Sequence, residues 1–253
     1  MDRRNEVIGN IIKGLAIGVA NIIPGVSGGT VAVLLGIYEK LTDAIGNFFL
    51  ANFQKKREYF LFLLQIMLGA ILGILLFAKL IEWSIQKYPN VTASFFSLCI
   101  LPSLFYMIKP YRKTKKNLFL FFLGTLFLGI FMFLSVCFQK KTGVETTPVT
   151  MISFSYGIKL FFCGLLAGAA MIIPGISGSL LLLIFGEYYH ILSFLLQVRI
   201  LPLVYLAVGV ALGLVLFSKG IHWLLQREEE KTMFFIAGIV FMSIFQIWIS
   251  LLS

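Results

Sequence analysis

Long apolar runs separated by short clusters of charge dominate the chain. Tyr59 to Trp83 and Leu118 to Phe138 reach or exceed the roughly 20 residues that a helix needs to cross a bilayer. Two further runs are interrupted near their middle. Residues 21–30 read Asn-Ile-Ile-Pro-Gly-Val-Ser-Gly-Gly-Thr, and residues 171–180 read Met-Ile-Ile-Pro-Gly-Ile-Ser-Gly-Ser-Leu. A proline removes a backbone donor, and the glycines after it permit dihedrals that a helix interior does not tolerate. The pattern predicts a helix deliberately broken inside the membrane at each place.

The two interruptions belong to a longer internal repeat. At an offset of 150, residues 14–38 match 164–188, with identities at Gly14, Leu15, Gly18, Ala20, Ile22, Ile23, Pro24, Gly25, Ser27, Gly28, Gly36 and Tyr38. At an offset of 140, Gly69 to Trp83 matches Gly209 to Trp223. The second copy is therefore ten residues shorter between the blocks, and Gly46 to Lys56, opposite Gln197 to Arg199, is the expected place. Each half reads as a proline-broken hairpin, a helix ending in Lys-x-x-x-Trp, and one more helix, Thr92 to Ile108 or Thr232 to Leu252. We expect one membrane domain over 1–253, with repeats at about 7–108 and 156–253 and an extra span at 118–138.

Whether each broken element crosses or turns back is decided by length and charge. Asn10 to Ile23 extends only roughly 21 Å as a helix, short of a ~30 Å hydrocarbon core. With a returning hairpin and a cytoplasmic N-terminus, Arg3, Arg4, Lys55, Lys56, Arg57, Lys109, Arg112, Lys113, Lys115, Lys116, Arg227 and Lys231 all lie inside. Lys87, Lys140, Lys141, Lys159 and Arg199 then lie outside, as the positive-inside rule requires. Three crossings in the first half make the second hairpin start from the opposite face. The expectation is an all-α polytopic membrane protein built as an inverted-topology repeat, with about five full spans, two re-entrant hairpins and an extracytoplasmic C-terminus.

Composition narrows the class further. The chain is 59% hydrophobic and 13% charged, with a mean hydropathy of +0.97, which excludes an ordinary soluble domain. No small-residue cleavage site follows the first apolar segment, so no removable signal peptide is expected. The net charge of +10 sits in loop clusters that fit anionic lipid headgroups rather than nucleic acid. Cys99, Cys137 and Cys163 stand singly in apolar sequence, so neither a metal site, a cofactor nor a disulfide framework is expected. Nothing in the sequence specifies an oligomeric state.

The breaks carry the candidate chemistry. Backbone groups freed inside a membrane cost several kcal/mol each if unpaired, so something polar must face them. Gly25, Ser27, Gly28 and Gly29, with Asn21 and Thr30 at the flanks, form one candidate substrate-binding set. Gly175, Ser177, Gly178 and Ser179 form the other, and N–H groups at the restarted helices favour an anion. Close packing and helix capping explain the same residues without a ligand. Lys79 and Lys219, at equivalent positions before Trp83 and Trp223, either snorkel to the interface or bring positive charge to the pathway. Glu39 and Glu187 follow Tyr38 and precede Tyr188, at positions unmatched in the repeat, and are candidates for ion pairing or a coupling proton. His190 and His222 are unmatched and read as interfacial.

The stretch Gly-x-Ala-Asn-x-Ile-Pro-Gly-Val-Ser-Gly-Gly-Thr over residues 18–30, with its second form over 172–179, resembles a bacterial membrane family catalogued as a domain of unknown function. Members are described as polyprenyl-phosphate transporters, and the resemblance covers nearly the whole chain. It implies a flippase, not an enzyme, that returns undecaprenyl phosphate to the cytoplasmic leaflet of the plasma membrane for cell-wall synthesis. The Pro-Gly-x-Ser stretch also resembles membrane undecaprenyl pyrophosphate phosphatases. Their arginine after the serine is replaced here by Gly28 and Gly178, and their paired glutamates are missing from the apolar segments, which leaves hydrolysis without its machinery. An ion-coupled small-anion transporter on the same fold is a further alternative.

Overall fold

The computed structural model describes residues 3–23, 26–111, 114–139 and 153–252. Pro24, Gly25, Arg112, Lys113, Lys140 and Lys141, which the sequence reading singles out, lie outside them. The described residues form helices without strands: α1 (Arg3–Ile22), α2 (Gly28–Leu34), α3 (Tyr38–Gly46), α4 (Phe53–Lys87), α5 (Pro89–Ile108), α6 (Lys115–Gln139), α7 (Phe154–Ile172), α8 (Gly178–Ile184), α9 (Tyr188–Leu196) and α10 (Ile200–Leu252).

The sequence repeat has a geometric counterpart, element by element. α2 and α8 each have 7 residues and α3 and α9 each have 9, joined in both cases through a glycine at positive φ, Gly36 (65°) and Gly186 (72°). Tyr88, between α4 and α5, has φ −138° and ψ 58°; Glu228, which kinks α10 into two arms, has φ −139° and ψ 51°. Thr92 Oγ1 donates to the carbonyls of Ser84 and Tyr88, as Thr232 Oγ1 does to those of Leu224 and Glu228. The second arm of α10 thus corresponds to α5, and among the described residues α6 is the helix without a copy. The ten-residue difference divides between a shorter linker before α10 and an earlier start of α4.

Glycines set the packing inside each half. Gly14 and Gly18 of α1 face the carbonyls of Ile66 and Ala70, while Gly69 and Gly73 of α4 face those of Ile11 and Leu15. Gly164 and Gly168 of α7 repeat this against Leu206 and Val210, and Gly209 and Gly213 against Phe161 and Leu165. A Cβ at any of these positions would fall onto the opposing carbonyl, so two helix backbones approach as closely as small residues allow. The order of the contacts makes α1 parallel to α4, and α7 parallel to the first arm of α10. The chain between the members of each pair must therefore return to the end from which it set out.

This is a membrane protein. Among the described residues, α4, α6, α7 and α10 are long and apolar enough to cross a bilayer, and α8 with α9, bent by 110°, make a fifth candidate. Large apolar side chains point outward along them, including Leu75 at 74%, Phe133 at 68% and Phe122 at 65% exposure, a surface suited to lipid. The candidates differ from the five spans expected. α7 qualifies although it was read as a hairpin arm, and α5 is helical over its 20 residues with Pro102 inside it. α10 consists of two helices that meet at the kink at Glu228, one on each side of it. Of the cysteines in the described residues, Cys99 is exposed and Cys163 buried.

Candidate functional site

The two breaks meet. Ser27 and Thr30 begin α2 and are both buried, with their hydroxyls 3.0 Å apart. The backbone N–H of Gly175, in the second break, donates to Ser27 Oγ at 2.7 Å and to Thr30 Oγ1 at 2.9 Å. Gly175 adopts φ 82°, a left-handed conformation that glycine takes without a Cβ penalty and that aims its N–H at the opposite break. Gly29 packs against the carbonyl of Ile172 and against Pro174, and Tyr38 donates its hydroxyl to the Ile172 carbonyl at 3.0 Å. Backbone polarity released by one break is therefore satisfied by side chains of the other, across 148 residues of sequence.

The copies are unequal, and sequence explains why. In the first, Ser27 caps α2 by accepting from the Thr30 N–H at 3.2 Å, and Asn21 Oδ1 accepts from the Gly28 N–H at 3.0 Å. In the second, Leu180 stands where Thr30 would be and Met171 where Asn21 would be. Ser177 makes no side-chain cap to α8; its hydroxyl instead lies 2.6 Å from that of Ser179. Ser179 is exposed, and Gly178 is the buried member of α8. The second helix start thus presents hydroxyls and backbone donors at an accessible edge, while the first is closed upon itself.

The remaining candidates lie elsewhere. Lys79 on α4 and Lys219 on α10 are exposed, and among the described residues neither hydrogen-bonds to a break; the Lys219 backbone instead packs on Gly46. The cations that sit on the paired tryptophans are Lys87, 5.6 Å from the Trp83 ring, and Arg227, 5.4 Å from the Trp223 ring. They follow their tryptophans by one helical turn and are themselves repeat equivalents, a relation visible in the sequence once the offset of 140 is known.

Glu39 is exposed at the start of α3. Glu187 is only 2% exposed and is bound by the Lys159 ammonium and by the Tyr156 hydroxyl at 2.6 Å, with His190 Nδ1 lying 3.3 Å away. Tyr156, Lys159 and His190 were not assembled by sequence reasoning, although their spacing along α7 and α9 contains them. A second group joins Asp43 to the Tyr59 hydroxyl at 2.8 Å, Asn47 at 2.8 Å and His222 at 3.3 Å. His222, expected at the interface, is instead buried between α3 and α10.

Comparison with known proteins adds what geometry does not. A protein of Vibrio cholerae serotype O1 named polyprenyl-phosphate transporter is 31% identical over 247 residues, covering 94% of this chain and 76% of the relative. A protein of the same name from Staphylococcus aureus is 31% identical over 249 residues, covering 94% of this chain and 85% of the relative. No solved structure gives a significant match. The model of the VCA0040-like family, described as undecaprenyl phosphate translocase-like, matches residues 17–251, and the chain belongs to that family.

Proposed function

We propose that this protein carries a polyprenyl phosphate across the bacterial plasma membrane, taking undecaprenyl phosphate from the outer to the inner leaflet so that the lipid carrier is reused in cell-wall synthesis. The observation that carries the reading is the meeting of the two breaks, where Gly175, Ser27 and Thr30 place hydroxyls and a backbone N–H in an otherwise apolar interior. A phosphate monoester needs several donors and tolerates few acceptors, and N–H and hydroxyl groups at broken helices supply them. The isoprenoid tail needs only lipid or an apolar wall.

In this arrangement the breaks satisfy one another, so the central donors are occupied. An arriving phosphate takes over the Gly175 N–H and the hydroxyls of Ser27 and Thr30, while Ser177 and Ser179 receive it at the accessible edge. Exchanging one set of partners for another at a fixed place is the requirement of alternating access between inverted repeats. Parallel packing of α1 with α4 and of α7 with α10 supports re-entrant hairpins, and the basic loops support a cytoplasmic N-terminus and an extracytoplasmic C-terminus. Lys79 and Lys219 guide the phosphate near the interfaces, and Glu187 is the candidate for a coupled proton.

The test is translocation of a fluorescent polyprenyl phosphate in proteoliposomes. Ser177→Ala with Ser179→Ala is preferred to leucine at Gly28 or Gly178. A Cβ at those glycines already meets the Ile17 side chain at 3.0 Å or the Ala167 carbonyl at 2.9 Å, so leucine would disturb packing as well as binding. The double serine variant should lower the rate about tenfold with normal insertion. An unchanged rate overturns the assignment of the breaks, and release of inorganic phosphate would identify a phosphatase.

A further inference from the structure

Beside the meeting point of the breaks lies a cavity of about 380 Å³, within the size range of small-molecule sites. It occupies the crook between the arms of α10 and is covered on one side by α6. Its floor is Ile173 and Pro174 of the second break together with Tyr38. Leu120, Phe127, Phe235 and Ile239 make apolar walls, and charge occurs only at the other end, where Lys116, Lys231 and Glu228 line the mouth.

We infer that this cavity is a docking seat for the polyprenyl phosphate, with the phosphate at Lys116 and Lys231 and the first isoprene units lying along the furrow towards Pro174. This rests on the transporter reading and adds a second binding place, separate from the breaks. From Lys116 to Phe127 on α6, and from Glu228 to Ile239 on α10, the furrow descends roughly 16 Å, about half a hydrocarbon core. One charged end and a long apolar remainder match an amphiphile. α6 and the second arm of α10 run parallel in contact, with Gly124 against the Phe235 carbonyl and Gly238 against that of Phe121. The furrow runs beside the seam where these two helices touch.

The charges at the mouth suit a phosphate. Glu228 pairs with Lys231, the Glu229 carboxylate accepts from the Tyr111 hydroxyl at 2.6 Å, and the Glu230 carboxylate accepts from Asn117 at 2.5 Å. Burial, and then the Glu229 carboxylate beside it, push the Tyr111 phenol far above its usual range, so it remains a donor. Each acid of the triplet thus has a partner, and among the described residues no ion pair holds Lys116. A dianionic phosphate can pair with Lys116 and share Lys231 with Glu228. α6, which forms one wall of the cavity, has no copy in the other half among the described residues. The seat serves one face only, the cytoplasmic one by the charge of its loops, and is where carried lipid is released.

The experiment is photo-crosslinking of a diazirine-bearing undecaprenyl phosphate to the full chain in liposomes, mapped by peptide mass spectrometry, alongside a transport assay. Labelling is expected on α6 and α10 peptides containing Leu120 and Phe235. Lys116→Ala with Lys231→Ala should lower it about tenfold and Lys115→Ala should leave it unchanged. Excess undecaprenyl phosphate should compete, and phosphatidylglycerol should not. Labelling confined to other segments in protein that still transports the lipid overturns the seat alone. Equal competition by phosphatidylglycerol also overturns it, by making the furrow a phospholipid site. Neither labelling nor transport of the polyprenyl phosphate overturns the transporter reading beneath it.

Discussion

Removing the two acceptors that hold Gly175 tests whether the breaks are mutually dependent. Ser27→Ala deletes one acceptor, the 3.0 Å contact with Thr30 and the α2 cap, and leaves Thr30 Oγ1 at 2.9 Å from the Gly175 N–H. Loss of a cap costs about 1 kcal/mol, and the retained partner limits further damage. Thr30→Val keeps the volume and leaves Ser27 Oγ at 2.7 Å, so it should cost about 0.5–1.5 kcal/mol. The double variant leaves a buried N–H without a partner, an additional penalty of about 1–3 kcal/mol. The assay is a double-mutant cycle of reversible unfolding in detergent micelles, with transport measured on the same samples. The expected coupling is about 1–2 kcal/mol beyond additivity. Coupling below about 0.5 kcal/mol, the scatter expected for independent sites, would refute the reasoning that one hydrogen bond is shared by two acceptors.

Gly14→Leu and Gly164→Leu should each prevent close approach of the paired helices and abolish recovery of monodisperse protein. Gly220→Leu, where a Cβ meets nothing within 4 Å, should be recovered normally by size-exclusion chromatography. Lys159→Met leaves the buried Glu187 carboxylate with the Tyr156 hydroxyl but without its cation and should cost about 3 kcal/mol in the same unfolding assay, whereas Glu187→Gln leaves only a half-exposed lysine and should cost about 1. The opposite order would show that the pair contributes nothing through its buried member.

How far the sequence reaches is clearest at particular residues. The doubled Pro-Gly-x-Ser-Gly stretch predicted the breaks because proline and glycine act locally, whatever surrounds them. Likewise, Gly14 to Gly18 and Gly69 to Gly73 repeated at 164–168 and 209–213 because backbone contact permits no side chain. What stayed hidden depends on partners distant in sequence. Ser27 was read as a ligand for an anion, yet its closest partner is the Gly175 N–H, and no local pattern announces a contact across 148 residues. Lys159 was taken only as a topology marker, because its partner Glu187 comes 28 residues later on another helix. Thr30 against Leu180 and Asn21 against Met171 did record the inequality of the copies, but its meaning needed the geometry of both breaks together.

The contact of Gly175 with Ser27 and Thr30 also sets an order of events during synthesis. Chains grow at about 5–20 residues per second, so Ser27 is synthesised roughly 7–30 s before Gly175. Throughout that interval α1, α2 and α4 can pair through their glycines, but the Ser27 and Thr30 hydroxyls face an interior still lacking its second wall. The first half is therefore a half-built vessel whose polar lining must be kept wet, or covered by the insertion machinery, until the second half closes over it.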